Sequence, residues 1–144
     1  MRVFIDCEFN SYKGQLISMA LVAEDGREMY CQVPIDRSEI DPWVMENVVP
    51  VMSIDSDAKM VGHSELPFEI ESFLRHYTEV GLIADWPDDA RFFCEYLITG
   101  PGERVDTPPL TIEIIRDDAE STMPHNALHD ARGIRDMVCS RVST

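Results

Sequence analysis

Within the opening run "MRVFIDCEF" two acids, Asp6 and Glu8, stand among apolar residues. Read as an extended strand, Val3, Ile5, Cys7 and Phe9 point to one face, and Phe4, Asp6 and Glu8 to the other. Two neighbouring carboxylates in an apolar strand repel each other unless one is protonated or a cation lies between them. A divalent metal is the natural cation, and hydrolysis assisted by that metal is the chemistry such a pair could perform. The plainer alternative is an edge strand with one solvated face.

Two further acidic sites fit the same chemistry. In "ADWPDDARFF" a short apolar strand gives way to a helix, the place where open α/β sheets bind ligands, and Asp85, Asp88 and Asp89 all compete for a role there. Each could instead cap the helix near its N-terminal dipole. In "HNALHDARGIRDM" the residues Ala127, Leu128, Ala131, Ile134 and Val138 form one helical stripe, and Asp130, three after Ala127 and four before Ile134, borders it. An acid there is costly without a compensating partner. His125 and Asp130 would lie about 140° apart on a continuous helix. His125 can therefore reach the site of Asp130 only if Pro124 and His125 form a loop ahead of the helix.

The elements that must position these residues can be read from periodicity. "RVFIDCEF", "QLISMALVA" and "REMYCQVP" read as a three-strand meander with turns at "NSYKG" and "EDG". A helix is expected through "PWVMENVVPVM", started by Pro42 and kinked or ended at Pro50. Another is expected in "ELPFEIESFLRHYTEV", with Phe68, Ile70, Phe73, Leu74 and Tyr77 at helical spacing. "GLIAD" and "PPLTIEIIR" read as strands, "PDDARFFCEYL" as a helix, and a final helix follows Pro124. Strands first, then helices alternating with strands, give an α/β fold with a mixed sheet flanked by helices.

At 144 residues, residues 1–144 are expected to form one domain with its own core. The apolar runs are too short for a membrane span, and no signal peptide is recognisable, so a cytoplasmic location without membrane association is expected. Cys7, Cys31, Cys94 and Cys139 lack any C-x-x-C pair and are read as buried thiols rather than a zinc site or disulfide framework. The net charge of −15, from 27 acids against 12 bases, gives no basic track for gripping a phosphate backbone. Solvation explains most of these acids, but not those inside apolar runs.

"FIDCEF", "DWPDD" and "HNALHD" resemble the three motifs of DEDDh 3′→5′ exonucleases. The flow "FIDCEF…QLISMALVAEDGREMYC…PWVMENVVP" is similar to the polyadenylate-specific, RNase AS-like exoribonucleases. That resemblance implies an RNase H-like fold. It also implies two Mg²⁺ or Mn²⁺ ions held by Asp6, Glu8, Asp89 and Asp130, with His125 as general base. In the middle motif the family often carries an Asn or Asp four residues before the catalytic Asp and an apolar pair after it. This selects Asp89, with Asp85 in the auxiliary position and Phe92 and Phe93 behind, while Asp88 stays a competitor. Phe9, Asn10 and Asp85 would contact the terminal nucleotide, although Phe9 equally suits core packing. The implied reaction releases nucleoside 5′-monophosphates from the 3′ end of single-stranded RNA, and relatives suggest a homodimer. Trp86 and Pro87 depart from the usual middle segment. Two other readings fit the same residues: a DNA-directed 3′→5′ exonuclease, and a non-catalytic protein whose acidic surface mimics nucleic acid.

Overall fold

The first strand outruns its neighbour, and that mismatch makes room for a site. In the computed structural model, which describes residues 1–52, 58–116 and 119–140, β1 (Arg2–Phe9) pairs antiparallel along its length with β2 (Leu16–Ala23). On its other side it pairs parallel with β5 (Val80–Ala84) only through Arg2, Val3 and Phe4. The C-terminal half of β1, which carries Asp6 and Glu8, is therefore open on that side.

The six-stranded sheet has the order β4-β3-β2-β1-β5-β8, with β3 at Glu28–Gln32, β4 at Lys59–Met60 and β8 at Leu110–Ile114. The β1/β2 and β2/β3 pairs are antiparallel and the others parallel. This is the expected mixed α/β sheet flanked by helices, consistent with an RNase H-like fold. Val3, Ile5 and Cys7 join the larger core, under α2 (Leu66–Leu74) and α3 (Pro87–Leu97). On the opposite face, Phe4, Ala20 and Val22 pack against α4 (Ala127–Ser140) through Ala127, Leu128, Ala131 and Ile134, the expected stripe. Between β3 and β4 lies α1 (Pro42–Asn47), followed by a 3-10 turn at Val49–Val51 that contains Pro50.

Two glycines are required by close approach. A Cβ at Gly14, in the tight turn after β1, would lie 1.6 Å from the Asn10 carbonyl oxygen. A Cβ at Gly133, inside α4, would lie 2.3 Å from the Glu120 carbonyl oxygen. Gly133 thus tolerates its helix-interior cost so that the chain at Glu120 and Ser121 can cross α4 beside Asp130.

Some expectations need correction. α2 ends at Leu74 rather than reaching Val80, which opens β5 instead, and Tyr77 lies in the turn between them. Phe68 is 57% exposed because the buried stripe of α2 starts at Leu66 and continues through Ile70, Phe73 and Leu74, turning Phe68 outward. All four cysteines are free, but only Cys7 and Cys31 are buried, whereas Cys94 is exposed on the outer side of α3 and Cys139 is half-buried. Short β4, and the hairpin of β6 (Ile98–Gly100) with β7 (Glu103–Arg104), carry too few residues to show a periodicity. Among the described residues no helix is long and apolar enough to cross a membrane.

Candidate active site

Four elements bring acids to the open half of β1. Asp6 and Glu8 share the face of the sheet that looks toward α4, Asp85 follows the last residue of β5, Asp89 sits in the first turn of α3, and Asp130 in the first turn of α4. Among the described residues, carboxylate oxygens from Asp6, Glu8 and Asp130 all lie within 4.8 Å of one another, and so do oxygens from Asp6, Asp85 and Asp89. Asp6 belongs to both trios.

Asp89 is 1% exposed and reaches across to β1, where its Oδ1 accepts the backbone N–H of Cys7 at 3.0 Å. That N–H lies beyond the last β5 partner and would otherwise be a buried donor without an acceptor. Asp88 points elsewhere: its Oδ2 accepts the Trp86 indole N–H at 3.0 Å and its Oδ1 the Arg91 Nε at 3.0 Å. The structure thus brings Asp89, and not Asp88, to Asp6. Phe92 and Phe93 lie behind it in the core.

Electrostatically the cluster is incomplete. Asp6 Oδ2 and Asp89 Oδ2 are buried and have no hydrogen-bond partner. Burial, followed by the charges of Asp89, Glu8, Asp130 and Asp85, raises the Asp6 carboxyl well above the usual range. Burial and the charge of Asp130 push Glu8 up to about 8. Asp89 is also pushed to about 8 by burial and by Asp85, against the Cys7 N–H, which favours the ionised form. Asp130 is raised by burial, opposed by Ser121, Glu8 and the His125 amide. Acceptor-only groups with orphaned, buried oxygens at this separation fit divalent cations with hard oxygen preferences.

His125 lies in the loop ahead of α4, as its relation to Asp130 requires. Its backbone is left-handed at φ 69°, and its N–H donates to Asp130 Oδ2 at 3.1 Å. The imidazole belongs to neither trio and meets the Trp43 ring edge-on, with centroids 5.2 Å apart. Phe9 tilts against Phe92 at 5.4 Å and is packed on the core. The Asn10 amide engages the chain at both ends: Nδ2 donates to the Glu39 carbonyl at 2.9 Å, and Oδ1 accepts the Asp41 N–H at 2.8 Å.

Asn126 is a residue that sequence reasoning missed. Fully buried, it accepts the His129 N–H at 3.2 Å and donates Nδ2 to the carbonyls of Val51 at 2.8 Å and Met52 at 3.3 Å. It therefore caps α4 and ties the His125 loop to the chain that follows α1. An Asn directly before an apolar helical run is the signal that could have found it.

No family model matches the chain. It is similar to a 3′-5′ exoribonuclease of Mycobacterium tuberculosis, in strains CDC 1551 / Oshkosh and ATCC 25618 / H37Rv. With each the identity is 33% over 78 residues, covering 52% of this chain and 46% of the relative. The match therefore spans about half the length of these relatives.

Proposed function

We propose that residues 1–144 form one DEDDh-type 3′→5′ exoribonuclease domain, similar to the RNase AS-like group, which removes nucleoside 5′-monophosphates from the 3′ end of single-stranded RNA. The observation that carries this is Asp6, shared by two carboxylate trios while its own Oδ2 stays buried and unpartnered. The named activity of the mycobacterial relatives supports it.

Asp6, Glu8 and Asp130 would hold one divalent cation, and Asp6 with Asp89 and Asp85 a second. Such ions, Mg²⁺ or Mn²⁺, supply Lewis-acid stabilisation of the phosphoryl oxygens and of the leaving oxygen. The chain's own residues do the rest. His125, on a loop fixed by Asp130 and Asn126, takes the proton of the attacking water as its oxygen bonds to phosphorus. The bond from phosphorus to the 3′ oxygen then breaks; that oxygen takes a proton from solvent water to become the 3′ hydroxyl of the shortened strand, and the terminal nucleoside leaves as its 5′-monophosphate. Asp89 keeps α3 docked on β1, so that Asp6 faces both trios at once. An acidic mimic of nucleic acid needs exposed charge, whereas Asp89 is 1% exposed.

The test is direction of degradation. With Mg²⁺, a 5′-labelled single-stranded RNA is expected to shorten as a ladder from its 3′ end, and a blocked 3′ end to slow it strongly. Early internal cuts, or equal degradation of circular RNA, would overturn the proposal, and a matched DNA strand decides between the two sugars.

A further inference from the structure

β2 is buried from end to end, and Ser18 is its single polar side chain. It is 0% exposed, and among the described residues its Oγ has no hydrogen-bond partner. A buried hydroxyl left unpaired costs stability that an alanine in the same strand would not, so its presence calls for a reason. Its place in the sheet supplies one.

Ser18 stands directly opposite Glu8 in the antiparallel β1/β2 pair, so the two side chains leave the same face of the sheet, the face toward α4. Opposed residues hold their Cβ atoms about 4.5–5.5 Å apart, a gap that a serine hydroxyl and a glutamate carboxylate can bridge. The register breaks at this point: Glu8 pairs with Ser18 but Phe9 with Leu16, which leaves Ile17 as an extra residue in β2. Such bulges re-aim side chains and are over-represented beside active sites. On the far side of Ser18, Gln32 is also directly opposite, but its Nε2 donates to the Met52 carbonyl at 3.2 Å.

The Glu8 carboxyl directs its side-chain hydrogen bonds to two other acids, Asp130 and Asp6. Bonds between acids need a proton between them, and carboxylates that face a cation are acceptors only. Glu8 then requires a donor from the protein, as carboxylates that ligate metals generally have. We infer that Ser18 is a positioning residue of this site, whose hydroxyl donates to the Glu8 carboxylate and fixes the orientation in which Glu8 joins Asp6 and Asp130 around a divalent cation, an inference resting on the metal-dependent exonuclease reading above. The hydroxyl is thus unpaired in the metal-free fold and satisfied in the metal-bound one.

Mn²⁺ binding to the full chain is measured by calorimetry for the wild type and for Ser18→Ala, Ser18→Thr and Ser18→Val, with melting of each in a chelator. Ser18→Ala is expected to bind one ion roughly 10- to 100-fold more weakly and to spare the other, because Glu8 belongs to only one trio. Its metal-free Tm is expected to equal or exceed that of the wild type, since an unpaired buried hydroxyl has been removed. Threonine and valine share one shape, so the cost of the added methyl is common to both. The threonine variant, which keeps the hydroxyl, is expected to hold the affected ion more tightly than the valine variant by a similar factor. A merely structural hydroxyl predicts the opposite split, with a lower metal-free Tm in Ser18→Ala and unchanged ions, and either of those results would overturn the role of Ser18. So would equal weakening of both ions, or a threonine variant that binds no better than valine; in each case the ion sites of the wild type still stand. A wild type that binds no Mn²⁺ would overturn both this role and the metal-dependent reading.

Discussion

The Cys7 backbone N–H donates to Asp89 Oδ1 at 3.0 Å, joining two residues 82 positions apart in the chain. This bond docks the first turn of α3 against the half of β1 that β5 leaves unpaired. Asp89→Asn keeps an acceptor there and removes the charge; Asp89→Ala leaves the buried N–H without a partner. Urea denaturation of the metal-free protein is expected to find Asn more stable than Ala by about 1–3 kcal/mol, with both inactive. Equal stability would mean that this bond does not hold α3.

The pH dependence of metal-free stability follows from the raised carboxyls. Glu8 and Asp89 both titrate at about 8 in the folded chain, above their usual values of 4.5 and 3.8. Between those limits the folded state binds more protons than the unfolded state, so stability falls as pH rises. The contribution is fully present below the unfolded values and lost as pH climbs through about 8. Melting in a chelator is expected to show Tm decreasing from about pH 5 to about pH 8, with Glu8→Gln flattening the slope. A Tm that rises over this range would contradict the assignment.

For His125 the backbone and the ring can be tested apart. His125→Ala should lower turnover by on the order of 10²–10⁴, the range for a positioned acid–base group, with cation binding nearly intact. His125→Gly should be equally inactive yet more stable than the alanine variant, by about 1 kcal/mol, because φ is 69° at this position. Activity close to wild type in either variant would remove His125 from the reaction.

Much of this arrangement was legible because strand and helix periodicity dictate faces. The alternation of β1 put Asp6 and Glu8 on one side and Ile5 and Cys7 on the other, and the α4 stripe put Asp130 at its border. Periodicity does not encode the path of loops. The Trp43 contact with His125, and the grip of Asn126 on Val51 and Met52, join segments whose spacing in sequence says nothing of their distance in space. The choice between Asp88 and Asp89 depends on where β5 stops, which exposes the Cys7 N–H that Asp89 accepts. For Asp85 the resemblance implies an auxiliary, nucleotide-contacting position, and its oxygen lies within 4.8 Å of those of Asp6 and Asp89. The short β4 and the β6–β7 hairpin are set by the neighbours they pair with rather than by patterns of their own.

A shared Asp6 can be tested by counting ions. Mn²⁺ bound per chain, measured by calorimetry with paramagnetic resonance at fixed ionic strength, is expected to be about two for the wild type, from the two-metal arrangement. Asp130→Asn removes a ligand from one trio alone and should weaken one ion while sparing the other. Asp6→Asn, which touches both trios, should weaken both and abolish the Mn²⁺-dependent rise in Tm. An Asp6→Asn protein that binds as many ions as wild type, as tightly, would contradict the shared site.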